Sequence, residues 1–241
     1  MSQAPRIELS GRYTLGDRRL FDAEIALLPA QWTCLLGPSG VGKSTVLRLL
    51  LGLETGGSFS GSIMAQDGQD AATRISYMAQ QDLLLPWASV TENVLIGATL
   101  RGEKPDHARA QKLLARVGLS DHAEKTPAAL SGGMRQRAAL ARTLMEDRPV
   151  VLLDEPFSAL DAGTRADMQE LAAEVLKGKT VLLVTHDPGE AARLGEQILV
   201  MSASEAKPWP VPETPAIRGI NAPETLECQA RLLDHLRMAE A

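Results

Sequence analysis

The feature that most constrains this chain is a glycine-rich turn, Gly37-Pro-Ser-Gly-Val-Gly-Lys-Ser44, set between the apolar run 32–36 and a helix-like run over 44–51 that stops at Gly52. Glycine, four residues, glycine, lysine and serine between a strand and a helix is the phosphate-loop pattern. Gly37, Gly40 and Gly42 let the backbone curl, so that successive N–H groups beyond Pro38, from Ser39 through Val41, turn toward one anion. The following helix adds its positive end at Ser44 and Thr45. Lys43 brings a mobile full charge for the β and γ phosphates of a nucleotide, and the Ser44 hydroxyl is placed for Mg²⁺. A turn of this kind demands a parallel α/β sheet around it.

The rest of the chain reads accordingly. Three near-continuously apolar runs, 32–36, 150–154 and 180–185, are expected to be central strands covered on both faces. Asp106 caps a helix through Val117 with Gly118 as its stop, and a helix over 163–177 closes at Gly178. Pro188 opens a short helix that ends near Gly195. Between about 89 and 141 the strand patterns disappear, which predicts a helical lobe inserted into the main body, 1–204. After about 204 the composition changes. Pro208, Pro210, Pro212 and Pro215 cluster ahead of one amphipathic helix near 223–238, so 205–241 reads as a packing arm.

A second chemical signal is Val150-Val-Leu-Leu-Asp-Glu155, an apolar strand ending in two carboxylates at the tip where ligands of open α/β sheets bind. Asp154 suits the Mg²⁺ shell, and Glu155 is the candidate to orient or deprotonate an attacking water.

Composition removes several other classes. Aromatic residues are only 3% and the formal charge is −5, so neither base-stacking surfaces nor a broad basic face for nucleic acid is expected. No apolar run approaches the roughly 18 residues of a membrane span, and residues 1–12 lack an apolar signal core. Cys34 and Cys228 are far apart with no metal-like spacing; Cys34 is expected to be a buried thiol, as in a protein of a reducing compartment.

A third motif narrows the field. Leu130-Ser-Gly-Gly-Met-Arg-Gln-Arg137, just upstream of the Asp-Glu strand, resembles the signature of ABC-type ATPases. Other positions match in the right order over roughly residues 7–201. Gln80 resembles the Q-loop glutamine that links Mg²⁺ and water to the helical lobe; Gln81 is a rival, but Gln80 keeps the spacing to Leu84-Leu-Pro-Trp87. Ser158-Ala-Leu-Asp161 resembles the D-loop, His186 the switch histidine that meets the γ phosphate, and Tyr13 the aromatic that stacks on adenine. The resemblance implies a P-loop core with a mostly parallel sheet, an antiparallel β edge and an inserted helical lobe. It implies ATP and Mg²⁺ as cofactors, with Ser44, Gln80 and Asp154 toward the metal and Glu155, His186 and Gln80 as catalytic groups. Ser131, Gly132 and Gly133 would complete the site of a second ATPase subunit, a homodimer by expectation.

The chain departs from the family pattern at Pro29-Ala-Gln-Trp, where Gly-Glu is usual. It is too short for a regulatory β domain and lacks the coiled-coil insertion of chromosome and repair relatives. The implied function is therefore the ATPase of a membrane transporter, peripheral on the cytoplasmic face of the inner membrane. Its partners would be permease subunits and, indirectly, a solute-binding protein. Leu84-Leu-Pro-Trp-Ala-Ser-Val-Thr-Glu-Asn-Val94 resembles the importer branch for nitrate, sulfonate, taurine and thiamine-precursor pyrimidines, with the pyrimidine solute expected first. An exporter ATPase, or a soluble ABC ATPase that remodels protein or nucleic acid, is the alternative.

Overall fold

The computed structural model describes residues 4–240, and the side chains of 4–238. Two sheets and seven α-helices build it. The central sheet has six strands: β3 (Trp32–Leu36), β5 (Ile75–Met78), β6 (Val150–Asp154), β7 (Thr180–Val184), β8 (Gln197–Met201) and β9 (Ala206–Trp209). Their spatial order is β5-β6-β7-β3-β8-β9, all parallel except β9, which runs antiparallel to β8. Every residue of β3 and β7 is buried, as expected for strands sandwiched between two layers.

Alternate residues of β3 point to opposite layers. Cys34 and Leu36 join the larger core under the helices, while Leu35 joins the second core. Cys34 is fully buried, and burial pushes its thiol far above the ordinary range. The second core lies between the central sheet, α1 (Lys43–Leu50) and an antiparallel sheet ordered β2-β1-β4, made of β1 (Ile7–Leu15), β2 (Arg18–Leu27) and β4 (Ser58–Ala65).

Between β5 and β6 the chain is helical: α2 (Val90–Leu100), α3 (His107–Arg116) and α4 (Gly132–Met145), with short 3₁₀ turns. Local chemistry explains the boundaries. Ser89 and Glu92 form a reciprocal capping box on α2, and Asp106 accepts from the Arg109 N–H at the start of α3. Gly118, with φ of 69°, takes the left-handed turn after α3. Two later helices, α5 (Ala162–Val175) and α6 (Pro188–Leu194), carry Asp161 and Asp187 as their caps.

The proline-rich tail does more than pack. It supplies β9 to the sheet edge and then α7 (Pro223–Glu240), which lies against α6. Buried Arg218, ahead of α7, ties the tail to the end of α6 by donating to the backbone carbonyls of Ala192, Gly195, Pro212 and Thr214. Among the described residues no helix is long and apolar enough to cross a membrane.

Candidate active site

The glycine-rich turn joins β3 to α1, and close packing explains its glycines. A Cβ at Gly37 would lie 2.4 Å from the Met201 carbonyl oxygen, and one at Gly42 would lie 2.8 Å from the Phe21 ring. Gly42 also caps α1 with a left-handed φ of 109°, which an L side chain rarely adopts. At Gly40 a Cβ would meet nothing within 4 Å, so this glycine is needed for its positive φ of 76°. Lys43 folds over the turn, its Nζ donating to the Gly37 carbonyl at 2.7 Å and the Pro38 carbonyl at 2.9 Å. Ser44 is exposed at the first turn of α1, with Thr45 beside it.

The second cluster sits at the C-terminal tips of β5, β6 and β7. Glu155 follows β6 in a left-handed conformation, φ 45°, pinned by its N–H to the Val184 carbonyl at 2.9 Å. Such a backbone costs a non-glycine residue roughly 1–2 kcal/mol and is tolerated where the surroundings overdetermine it. Two donors meet on one oxygen of its carboxylate: Gln80 Nε2 at 3.0 Å and His186 Nδ1 at 3.0 Å, both to Oε2. Gln80, Glu155 and His186 thus arrive from three neighbouring strand ends at one atom.

Asp154, one residue earlier, accepts from the Tyr77 hydroxyl at 3.0 Å. Burial raises its carboxyl above the ordinary value, reinforced by Glu155, while the Tyr77 bond and the charges of Lys43 and Arg48 oppose the rise. Tyr77 itself is raised, chiefly by desolvation and then by Asp154.

Ser131 caps α4, its Oγ accepting from the Met134 N–H at 3.3 Å. At Gly133 a Cβ would come within 2.7 Å of Thr164, so the helix start approaches α5 closely. Gly132 borders a cleft of about 550 Å³ together with Gln80, Gln81 and Ser158. Residues that sequence reasoning overlooked fasten α4 to the Gln80 loop. Arg135 pairs with Asp82 at 3.0 Å, Arg142 donates to the carbonyls of Asp82 and Leu83, and buried Gln136 donates to the Gln80 carbonyl at 3.4 Å and also to the Pro156 carbonyl beyond β6 at 2.8 Å. Arg135 and Gln136 lie inside the signature string, so their positions were available; the partners were not. Tyr77 was equally visible, but nothing in its surroundings marked it as the companion of Asp154.

One expectation needs correction. Tyr13 is only 1% exposed, its ring stacked on Phe21 at a centroid separation of 5.6 Å and its hydroxyl donating to the Thr55 carbonyl at 2.6 Å. A ring packed inside the antiparallel sheet cannot receive adenine. The alternation of β1 turns position 13 inward, whereas Arg12 and Leu15 of the same strand are exposed.

Comparison with known proteins agrees with this geometry. Residues 20–158 match the family model described as ABC transporter. An uncharacterized ABC transporter ATP-binding protein of Haemophilus influenzae is 45% identical over 219 residues, covering 88% of this chain and 90% of the relative. An aliphatic sulfonates import ATP-binding protein of Rhodococcus jostii is 45% identical over 185 residues, 76% and 73% of the two chains. One of the same description from Agrobacterium fabrum is 46% identical over 180 residues, 73% and 67%.

Proposed function

The chain belongs to the ABC transporter ATP-binding family and is an ATPase, and from that premise we propose that it drives import of a small sulfur-containing solute of the sulfonate kind. The relatives named for aliphatic sulfonate import support that member of the nitrate, sulfonate and pyrimidine set. The pyrimidine solute, first by sequence, has no support among these relatives. The partners are membrane permease subunits, with a solute-binding protein acting through them, and the chain sits peripherally at the cytoplasmic face of the inner membrane. The body 1–204 carries the chemistry, its lobe at about 89–141 receives the permease, and 205–241 forms the arm.

In this reading ATP lies with its phosphates on residues 37–45. Backbone N–H groups of the turn and the end of α1 hold the phosphate oxygens, and Lys43 moves from its carbonyl partners to the β and γ phosphates. Mg²⁺ suits the donors at hand. The Ser44 hydroxyl, the Asp154 carboxylate and the Gln80 carboxamide are all oxygen ligands, and the cation would offset the burial that raises Asp154. No cluster of three or more His, Cys, Asp or Glu among the described residues could hold a metal alone. That fits an ion which takes its remaining ligands from phosphate and water. Bound Mg²⁺ supplies neutralisation of phosphate charge.

Glu155 orients the attacking water and accepts its proton, while Gln80 and His186 hold the carboxylate in place and reach the γ-phosphate side. The signature residues Ser131, Gly132 and Gly133 of one subunit close over the phosphates of another, giving a homodimer with two shared sites. The convergence of Gln80 and His186 on Glu155 Oε2 is the observation that carries this reading. Replacing Glu155 by Gln should leave ATP binding intact and slow steady-state hydrolysis by about 10²–10⁴-fold. Turnover at the wild-type rate would remove Glu155 from the mechanism.

A further inference from the structure

We infer that the C-terminal arm forms the wall that receives the nucleoside end of ATP, taking the place in which the buried Tyr13 cannot serve. The inference rests on reading residues 37–44 as the phosphate loop of ATP.

The direction of the nucleotide follows from the sheet order. The groups that act on the γ phosphate, Asp154 and Glu155, lie at the end of β6, two strands from β3 on one side. With adjacent strands about 4.8 Å apart, that is roughly 10 Å along the tips. The phosphate chain therefore points toward β6 and the base points the other way, toward β8 and β9. A cleft of about 680 Å³ opens there. Pro38, Ser39, Gly40 and Val41 of the phosphate loop are part of its lining, so the cleft adjoins the phosphate site. Leu20 of β2 supplies an aliphatic wall, and Trp209 of β9 with His235 of α7 supplies an aromatic one.

That aromatic wall is built and held. The Trp209 and His235 rings touch with centroids 4.9 Å apart and planes tilted by 44°. Trp209 pairs with Ile198 in the β8–β9 ladder. α7 is fixed by buried Thr225, Cys228 and Leu232 on the face toward α6, and by the four carbonyl bonds of Arg218 just before it. His235 stands on the next turn after Leu232, where it reaches the cleft. Planar aromatic faces beside an aliphatic wall suit a purine base, which stacks without regard to its hydrogen-bonding edge. Arg18 and Lys207 also line the cleft, Lys207 paired with Glu205 at 2.6 Å, and suit the polar ribose side.

Two measurements on the full chain test this. The first compares the affinities of ATP and of inorganic tripolyphosphate, which lacks the base. Trp209→Ala should weaken ATP about 5- to 150-fold, the worth of one base–aromatic stack, and leave tripolyphosphate unchanged; Trp209→Phe should restore most of the ATP affinity. ATP affinity unchanged in Trp209→Ala would overturn the inference and leave the phosphate-loop reading standing. An equal loss of both ligands would also overturn it, because the arm would then support the loop and not read the base. Failure of the wild-type chain to bind either ligand would instead overturn the phosphate-loop reading. The second measurement needs no variant. Photolabelling with an ATP carrying an azide on the purine should mark residues 205–210 or His235. Label confined to the β1–β2 turn at 15–18 would place the base on the hairpin and contradict the arm.

Discussion

Asp154 and Glu155 show how two adjacent carboxylates acquire different surroundings. Glu155 is gripped by amide and imidazole donors, whereas Asp154 is half-buried beside one phenol. The Tyr77 bond pulls the Asp154 carboxyl down against the burial that raises it. Tyr77→Phe should therefore let that carboxyl rise further. We expect Mg-ATP turnover to fall about tenfold, the worth of one hydrogen bond to a charged group, and the acid limb of the pH–rate profile to move to higher pH. An unshifted acid limb would show that Tyr77 does not act through Asp154.

Glu190, buried on α6, accepts from the Thr185 hydroxyl at 2.6 Å. Burial pushes its carboxyl up from 4.5 to about 7, despite that bond. The folded chain thus keeps a proton that the unfolded chain releases above about pH 4.5. Its contribution to stability is complete below that value and is lost as pH rises toward about 7. Melting curves at pH about 5 and about 8 should show a larger fall for the wild type than for Glu190→Gln, which cannot titrate. Equal falls would mean that Glu190 keeps its ordinary proton affinity.

At the scale of elements, the parts legible in the sequence were those with a strong local signal. β3 and β6 were readable to the residue because both faces are covered and the apolar run is unbroken. The starts of α2, α3, α5 and α6 are set by side chains that bond their own first turn; Asp106 was readable as such a cap, whereas Ser89, Asp161 and Asp187 emerge as caps only in the structure. The antiparallel sheet was less visible. β4, Ser58–Ala65, is exposed or half-buried except at Ala65 and has no apolar run to betray it. β9 was hidden by Pro208, which sits on an edge strand where a missing N–H is harmless. The convergence on Glu155 was legible as a set of residues but not as a geometry, because it depends on which strand tips lie side by side.

The segment before α2 separates core from surface within a few residues. Leu84 is buried, while Leu83 and Trp87 are exposed, Trp87 by 76%. Asn93 is wholly buried and pins the segment through Leu85, Ala88 and Ser89. A large aromatic held in the open by a rigid support suits a docking anchor for a permease helix. Trp87→Ala should leave the melting temperature of the isolated chain unchanged, yet weaken co-purification with the permease by about 2 kcal/mol. A collapsed melting temperature with normal assembly would assign Trp87 to the fold instead.

At the scale of the whole molecule, the parts form a single device only if two copies meet. The phosphate turn lies between β3 and α1. Ser131 caps α4, and Gly132 beside it borders a separate cleft with Gln80 and Ser158. The account therefore requires that ATP be gripped between two chains and hydrolysed there. Cysteines placed at Gly40 and Ser131 in the hydrolysis-slowed Glu155→Gln chain test this most directly. With Mg-ATP the account predicts a disulfide between two chains, seen as a dimer on a non-reducing gel and absent without nucleotide. A disulfide formed within one chain, or one indifferent to ATP, would contradict it.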